Sequence, residues 1–341
     1  MRVDPLAGAV DLSGVLQGAW DLRVRDVEFL PLGEDGGAYR VHGEDGRRFH
    51  LKLVQPGPSA DRICHGFHLS LVRQLRERGV VAVPEVIPTR SGSLWARLGD
   101  ALLLLGPWID APAIPPMRIL PEPVRLPLAR AVGALHAATP HLDLTAAPVE
   151  DFEIPFDAEL RASLAGLEPG APEALRRSVG PWRGRIETEL DALHAVRERS
   201  LAIAPPAVLC HTDLHGGNLL FDAQQTLWVL DWDGARLAPC EQDLAGATNA
   251  HVPRGEFSGF IAAYRERCGG RALEPDLFEF YFRRRCLEDL ELFLSSLLSG
   301  ARGAEQDAND LALIRSECLE WIERMPDDVR FVREALSGAR T

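Results

Sequence analysis

Apolar and polar residues alternate through residues 24–54, VRDVEFLPLGEDGGAYRVHGEDGRRFHLKLV, with the period of two that marks half-buried strands. A glycine-rich turn at 33–37 and a second turn at Glu44-Asp45-Gly46 cut the segment, which predicts three short strands in an antiparallel meander. In the third strand Phe49, Leu51 and Leu53 share one face, so His50 and Lys52 point together from the other. After the break QPGPS the period lengthens to that of a helix near 60–78, with Asp61 early in it and Leu69, Val72 and Leu75 in its apolar stripe. VVAVPEVIPT and SLWARLGDALLLL, on either side of a turn at Arg90-Ser91-Gly92, predict two further strands. The run ends at Gly106-Pro107, and the proline-rich stretch to 127 reads as a hinge between lobes. Beyond it helical periodicity dominates, near 128–139, 184–200, 257–268 and 276–298. The whole is an α+β arrangement: a β-rich lobe over 1–105, a hinge at 106–110 and a mainly helical lobe over 111–341.

Composition refines this picture in three places. At 341 residues, with 46% hydrophobic and 26% charged, the chain has the size for two compact lobes and the balance of an ordinary globular protein. The formal charge of −13 argues against nucleic acid as a partner; it suits a cationic small molecule, or simply an acidic, soluble surface. The N-terminus lacks a basic start followed by an apolar stretch, and no run approaches the roughly 20 apolar residues of a membrane span, so a cytoplasmic location without a membrane partner is expected. Six cysteines, scattered and without a C-x-x-C, read as reduced thiols. More telling, the 37 basic residues include a single lysine, Lys52. A chain that otherwise uses arginine keeps lysine where a compact ammonium is required rather than a planar fork; the competing explanation is chance retention at a surface site.

The densest chemistry lies in VLCHTDLHGGNLLFDAQQTLWVLDWD, residues 208–233. Leu219–Phe221 and 227–230 flank the turn 222–226, the pattern of a hairpin with a five-residue loop. Symmetric pairing about that loop places Asn218 opposite Asp231, an amide oxygen and a carboxylate at one end of the hairpin, where both would reach a common Mg²⁺. Asp213 lies five residues before Asn218, with His211 two positions upstream. That D-x-x-x-x-N spacing is the phosphoryl-transfer signature in which the aspartate orients and deprotonates an attacking hydroxyl. Gly216 and Gly217 let the loop turn tightly. The alternative takes His211, Asp213 and His215 as an H-x-D-x-H ligand set of a metallohydrolase, but leaves Asn218, Asp231 and Lys52 unexplained. His211 reads as a loop-anchoring histidine, and His215 as a neighbour of the nucleotide or metal.

HTDLHGGNLLFD followed by VLDWD and APCEQDL resembles the aminoglycoside phosphotransferase family. The layout LPLGEDGGAYRV, FHLKLV, SLWARLGDALLLLGPWID and DWDGARLAP is most similar to its spectinomycin phosphotransferase branch. The resemblance implies a bilobal protein-kinase-like fold and an ATP- and Mg²⁺-dependent transfer to a hydroxyl of a small molecule, an aminocyclitol or aminoglycoside. It places Lys52 on the ATP phosphates, Asp213 as catalytic base and Asn218 and Asp231 on the metal. Gly33, Gly36 and Gly37 would cover the phosphates, and Leu105 to Trp108 would contact the adenine. Asp243 would anchor the loop after the metal aspartate, and Asp233 would touch a second metal or the sugar or serve a structural role. Kinase-like folds pair the lysine with an acidic residue in the following helix, yet 63–76 contains none, which leaves Asp61 or Glu77. On the acceptor side, Asp289 and Glu288 are candidates for an ammonium, or partners of Arg283–Arg285, a triplet that reads as a solvated or salt-bridged helix face. A kinase of a metabolic acceptor (an amino alcohol, sugar or amino acid) and a nucleotide-binding pseudokinase scaffold are the alternatives.

Overall fold

The computed structural model describes residues 11–30, 36–64, 66–115, 119–167, 171–249, 251–300 and 303–338. Helix α1 (Leu12–Trp20) precedes strands β1 (Val24–Leu30), β2 (Gly36–Gly43) and β3 (Arg48–Val54), the meander that the alternation predicts. Helices α2 (Pro58–Cys64) and α3 (Phe67–Arg78) follow, then β4 (Ala96–Leu98) and β5 (Ala101–Pro107). The strands form an antiparallel sheet in the order β1-β2-β3-β5-β4. One face carries Tyr39, Val41, Phe49, Leu51, Leu53, Leu103 and Leu105 into a core closed by Leu12 and Leu16 of α1. On the other face Val54 and Leu102 pack against Ala60, Ile63 and Leu69 of α2 and α3. His50 and Lys52 share that second face, each only partly buried.

Two elements depart from the sequence reading. The helix expected over 60–78 is two helices, because Gly66 sits at φ 78 in the left-handed region and stops the first. VVAVPEVIPT is not a strand: Pro84 and Pro88 lack the N–H that a ladder needs, and the segment makes only an isolated bridge, Ala82 to Trp228. SLWARLGDALLLL instead holds both strands of a hairpin, β4 and β5, turning at Gly99 with φ 60.

The rest is mainly helical: α4 (Glu122–Ala138), α5 (Asp157–Ala165), α6 (Glu173–Val179), α7 (Arg183–Ile203), α8 (Glu241–Asn249), α9 (Phe257–Cys268), α10 (Pro275–Ser299), α11 (Ala304–Leu313) and α12 (Glu320–Gly338). A π-helical stretch, Ile314–Leu319, joins the last two. Between α7 and α8 run β6 (Ala207–Cys210), β7 (Leu219–Phe221), β8 (Leu227–Val229) and β9 (Arg236–Pro239), with β6 paired to β9 and β7 to β8. One large core unites these elements and takes in Phe67, Leu71, Leu75, Val81 and Val83 from the sheet's side of the molecule. No helix among the described residues is long and apolar enough to cross a membrane, and the six cysteines are free thiols.

Helices α4 and α9 meet at Gly133. A Cβ there would lie 2.4 Å from the Tyr264 carbonyl oxygen and 2.9 Å from Arg267 Cβ, closer than packed atoms approach. Gly133→Ala should therefore force the helices apart and lower stability by about 1–3 kcal/mol, read as a reduced urea midpoint. An unchanged midpoint would show that the pair adjusts freely.

Candidate active site

Strand β6 ends at Cys210, and the polar loop that follows is held from beneath. Asp243, buried in the first turn of α8, accepts from the backbone N–H of His211 at 2.9 Å and of Thr212 at 2.7 Å. Its Oδ2 also faces His136 Nε2 at 3.1 Å, and His136 Nδ1 lies 3.1 Å from the Tyr264 hydroxyl. With Nε2–H donating to the carboxylate, Nδ1 accepts from the tyrosine, so a chain of satisfied polar groups runs through a fully buried site. These contacts maintain Thr212 at φ 77, a conformation that disfavours a β-branched residue and costs about 1–3 kcal/mol. The Thr212 hydroxyl donates to the Gly234 carbonyl at 3.2 Å, and a Cβ on Gly234 would stand 2.6 Å from that hydroxyl. Asp243 thus anchors the loop before Asp213, not the loop after Asp231 that the resemblance implied. His136, Cys210 and Asp243 also lie within metal-ligating reach of one another. Burial pushes the Cys210 thiol up, away from the thiolate a metal needs, and the other two are bound up in holding the loop.

Asp213 is fixed at both oxygens. Oδ2 accepts from Asn218 Nδ2 at 2.8 Å and faces His215 Nε2 at 3.3 Å; Oδ1 accepts from Arg285 at 3.0 Å. Burial works to raise this carboxyl, but the His215 hydrogen bond and the Arg285 charge outweigh it and hold it well below the usual carboxylate range. It is ionised at neutral pH, as a proton acceptor must be. His215 Nδ1 accepts from Gly217 N–H at 3.0 Å, which leaves Nε2 as the protonated nitrogen. His211 donates from Nε2 to the Leu230 carbonyl at 2.7 Å and accepts at Nδ1 from Asp213 N–H at 3.3 Å. With both nitrogens committed and its ring edge-on to Trp232, His211 anchors the loop, and an H-x-D-x-H metal set loses its first ligand. Gly216 allows the loop to pass under the 111–115 segment, where a Cβ would lie 2.3 Å from the Pro115 carbonyl oxygen.

The β7–β8 hairpin is one residue out of the expected register. Leu219 pairs with Val229, and the Leu230 N–H donates to the Asn218 carbonyl at 2.9 Å, so Leu230 rather than Asp231 stands opposite Asn218. Asp222 closes the turn by accepting from Gln224 N–H, Thr226 N–H and the Trp228 indole, with Gln225 at φ 62. Immediately after the hairpin Asp231 takes φ 58, and its Oδ1 meets Lys52 Nζ at 2.9 Å. Asp233 reaches the same ammonium at 3.0 Å. Burial alone would lower the Lys52 pKa, but the two carboxylates outweigh it and raise it. His50, beside it on β3, is pushed down to about 4 by burial and by the Lys52 charge, and is neutral at pH 7. Lys52 therefore takes its acidic partners from the hairpin's exit and not from α2 or α3; Glu77 pairs with Arg73.

The remaining candidates scatter around this centre. Gly36 and Gly37 lie in β2 opposite Val54 and Leu53, whereas Gly33 falls outside the described residues. The Leu105 carbonyl accepts from Ile87 N–H at 2.7 Å and the Trp108 N–H donates to the Arg48 carbonyl at 3.0 Å, so Trp108 has no free backbone donor for a base. The arginine triplet is salt-bridged rather than solvated, the second of the two readings given for it. Arg283 is buried against Glu189 and Glu279, Arg284 pairs with buried Glu150 at 2.8 Å, and Arg285 bridges Asp213 and Asp289. Burial pushes the Asp289 carboxyl up to about 6, with Arg285 opposing. Glu288 is exposed. Sequence alone presents Arg285 only as one of the triplet and a partner for Asp289, and singles out neither His136 nor Thr212. Only Arg285 carried a signal, an acidic residue four positions ahead in the same helix.

The phosphotransferase enzyme family (APH) matches residues 26–278. Protein StrN of Streptomyces griseus is 29% identical over 308 residues, covering 86% of this chain and 85% of its own. Among solved structures, spectinomycin phosphotransferase APH(9)-Ia with ADP and spectinomycin superposes with a TM-score of 0.72 at 19% identity, covering 95% of this chain and 97% of that one. A microcompartment-associated aminopropanol kinase gives 0.59 at 19% identity over 93% and 97%. At these identities the structural likeness carries the fold, which is kinase-like.

The Asp289 carboxyl titrates in the folded chain above its ordinary 3.8, so the folded state binds that proton more tightly than the unfolded one. Its contribution to stability is complete below about pH 4 and is lost as the pH rises through 6. Asp289→Asn cannot ionise. Its stability relative to the parent should improve between pH 4.5 and pH 7 in urea titrations; a difference independent of pH would contradict the assignment.

Proposed function

The chain belongs to the phosphotransferase enzyme family, and from that premise we propose that it transfers the γ-phosphoryl group of ATP to a hydroxyl of a cationic small molecule of the aminocyclitol or aminoglycoside class. The observation that carries this reading is the meeting of Lys52 with Asp231 and Asp233, some 180 positions further along the chain. It brings the sheet's only lysine to the loop that holds Asp213 and Asn218.

In this reading Asp213 accepts the proton of the acceptor hydroxyl, and its ionised state is secured by His215 and Arg285. Asn218 turns its amide nitrogen to Asp213, both side chain and carbonyl, which directs the amide oxygen away; Asp231 keeps Oδ2 clear of the Lys52 contact. These are hard oxygen donors, and they fit Mg²⁺. Bound there, the ion would neutralise charge on the phosphates. Lys52 would place an ammonium beside them, with Gly33, Gly36 and Gly37 on the nucleotide side; the Leu105 carbonyl and the Trp108 N–H, already paired within the fold, are not offered to the nucleotide base. His50 remains neutral on the same face and adds no competing charge. Asp289 is already neutralised by Arg285, so ammonium recognition by Asp289 is left out of the proposal. The aminocyclitol class is supported by the likeness to spectinomycin phosphotransferase; the likeness to an aminopropanol kinase supports an amino alcohol as the second reading. Because Lys52, Asp213, Asn218 and Asp231 are all present, a catalytically silent scaffold is the weaker explanation.

ATP consumption screened with spectinomycin and related aminocyclitols against amino alcohols and sugars should single out one group; consumption with none of them would end the reading. Asp213→Asn should keep Mg·ATP binding and lose turnover by ~10²–10⁴. Lys52→Arg should weaken ATP binding, since a guanidinium fork cannot sit as a point charge between the two carboxylates. Parental ATP affinity in that variant would make the single lysine a coincidence.

A further inference from the structure

Among the described residues Arg285 joins two carboxylates through two edges of one planar group. Its Nε meets Asp289 Oδ2 at 3.0 Å and its NH1 meets Asp213 Oδ1 at 3.0 Å, across 72 positions of sequence. We propose that Arg285 is a positioning residue for the transfer step: tethered by Asp289, it holds the Asp213 carboxylate in the orientation from which an acceptor hydroxyl can give up its proton. This rests on the reading of Asp213 as the base.

The torsion that turns an aspartate carboxylate is broad, so a fixed plane needs an anchor at each oxygen. The loop supplies one, at Oδ2, through Asn218 and His215. Arg285 supplies the other from α10, a different element of the fold. An arginine side chain that is 47% exposed would ordinarily swing into water and contribute little. Asp289, one helical turn further on and only 15% exposed, restrains it by the Nε edge and leaves NH1 aimed at the base. Cys286 bonds to the Cys318 carbonyl at 3.4 Å and ties this turn of α10 to the π-helical stretch, so the tether stands on packed backbone. In the step itself the hydroxyl O–H bond breaks and its proton passes to Asp213, the oxygen forms a bond to the γ-phosphorus, and the bond from that phosphorus to the ADP oxygen breaks. Arg285 gains and loses no proton; it keeps Oδ1 from rotating away.

The test is a double-mutant cycle on the full chain with Arg285→Ala, Asp289→Ala and the pair. ADP release would be followed with Mg·ATP plus spectinomycin, and with Mg·ATP alone, where water is the acceptor. Arg285→Ala should lower kcat by roughly 10- to 100-fold with KM for ATP nearly unchanged, the penalty of a misplaced reacting group. Asp289→Ala should lower kcat several-fold in the parent and have little effect in the Arg285→Ala background, because its influence passes through the arginine. Asp289→Asn, which keeps an oxygen for the Nε–H, should fall less than Asp289→Ala, and Arg285→Lys should recover only part of the loss, since an ammonium lacks the second edge. Parental kcat in Arg285→Ala, losses that multiply, or losses that follow the melting temperature would overturn the assignment and reduce the pair to a fold contact. A parent protein that releases no ADP with water, with spectinomycin or with any aminocyclitol, amino alcohol or sugar of the panel above would instead sink the phosphotransferase reading, and this inference with it.

Discussion

The ammonium of Lys52 is the point at which the two halves of the molecule are made to agree. It stands on a sheet whose apolar face is sealed by α1, and its partners Asp231 and Asp233 leave a hairpin embedded in the helical core. Two carboxylates about 3 Å from one ammonium carry excess negative charge, so the contact is strong yet unbalanced, and it accommodates a further positive charge. A guanidinium would bring the same charge but spread it over a plane, which explains why a chain built on arginine departs from its habit at this one position.

Behind that contact lies a strained backbone. Thr212 and Asp231 both adopt left-handed φ values, and they bracket the loop and hairpin that present Asp213 and Asn218. Strain of this kind persists only where the surroundings over-determine it. At Thr212 the surroundings are Asp243, His136 and Tyr264, contributed by α8, α4 and α9. The close approach of α4 to α9 at Gly133 therefore bears on the site as well as on the core, because both ends of the His136–Tyr264 contact depend on it.

Much of this was legible in the chain itself, for reasons that can be named. The period of two is clean in β3, where Phe49, Leu51 and Leu53 are buried and Arg48, His50 and Lys52 are not, and the same alternation put Lys52 opposite Leu51 and Leu53. The prolines of VVAVPEVIPT weighed against a strand, and its apolar content masked them. The hairpin register slipped by one because a five-residue loop does not set pairing; the turn is set by Asp222 and a left-handed Gln225, which a symmetric count ignores. Arg285 was hidden for a different reason. Its neighbours Glu288 and Asp289 offered a complete local explanation for its charge, and nothing along the helix announces a partner 72 positions away.

Local charge finally bears on what the site can receive. The chain's −13 suits a cationic partner or simply a soluble surface, and a net charge does not say where on the molecule it acts. Around the proposed base, Asp213, Asp231, Asp233 and Asp289 face Lys52 and Arg285, four carboxylates against two cations, which leaves two negative charges. A residue of two suits the divalent ion of the proposed reaction and leaves none over for an acceptor ammonium beside the base. In the proposed reaction, any cationic group of the acceptor would then be met away from the base. The hydroxyl that reacts would belong to a part of the acceptor that carries no charge of its own, a geometric demand that the net charge of the chain does not express.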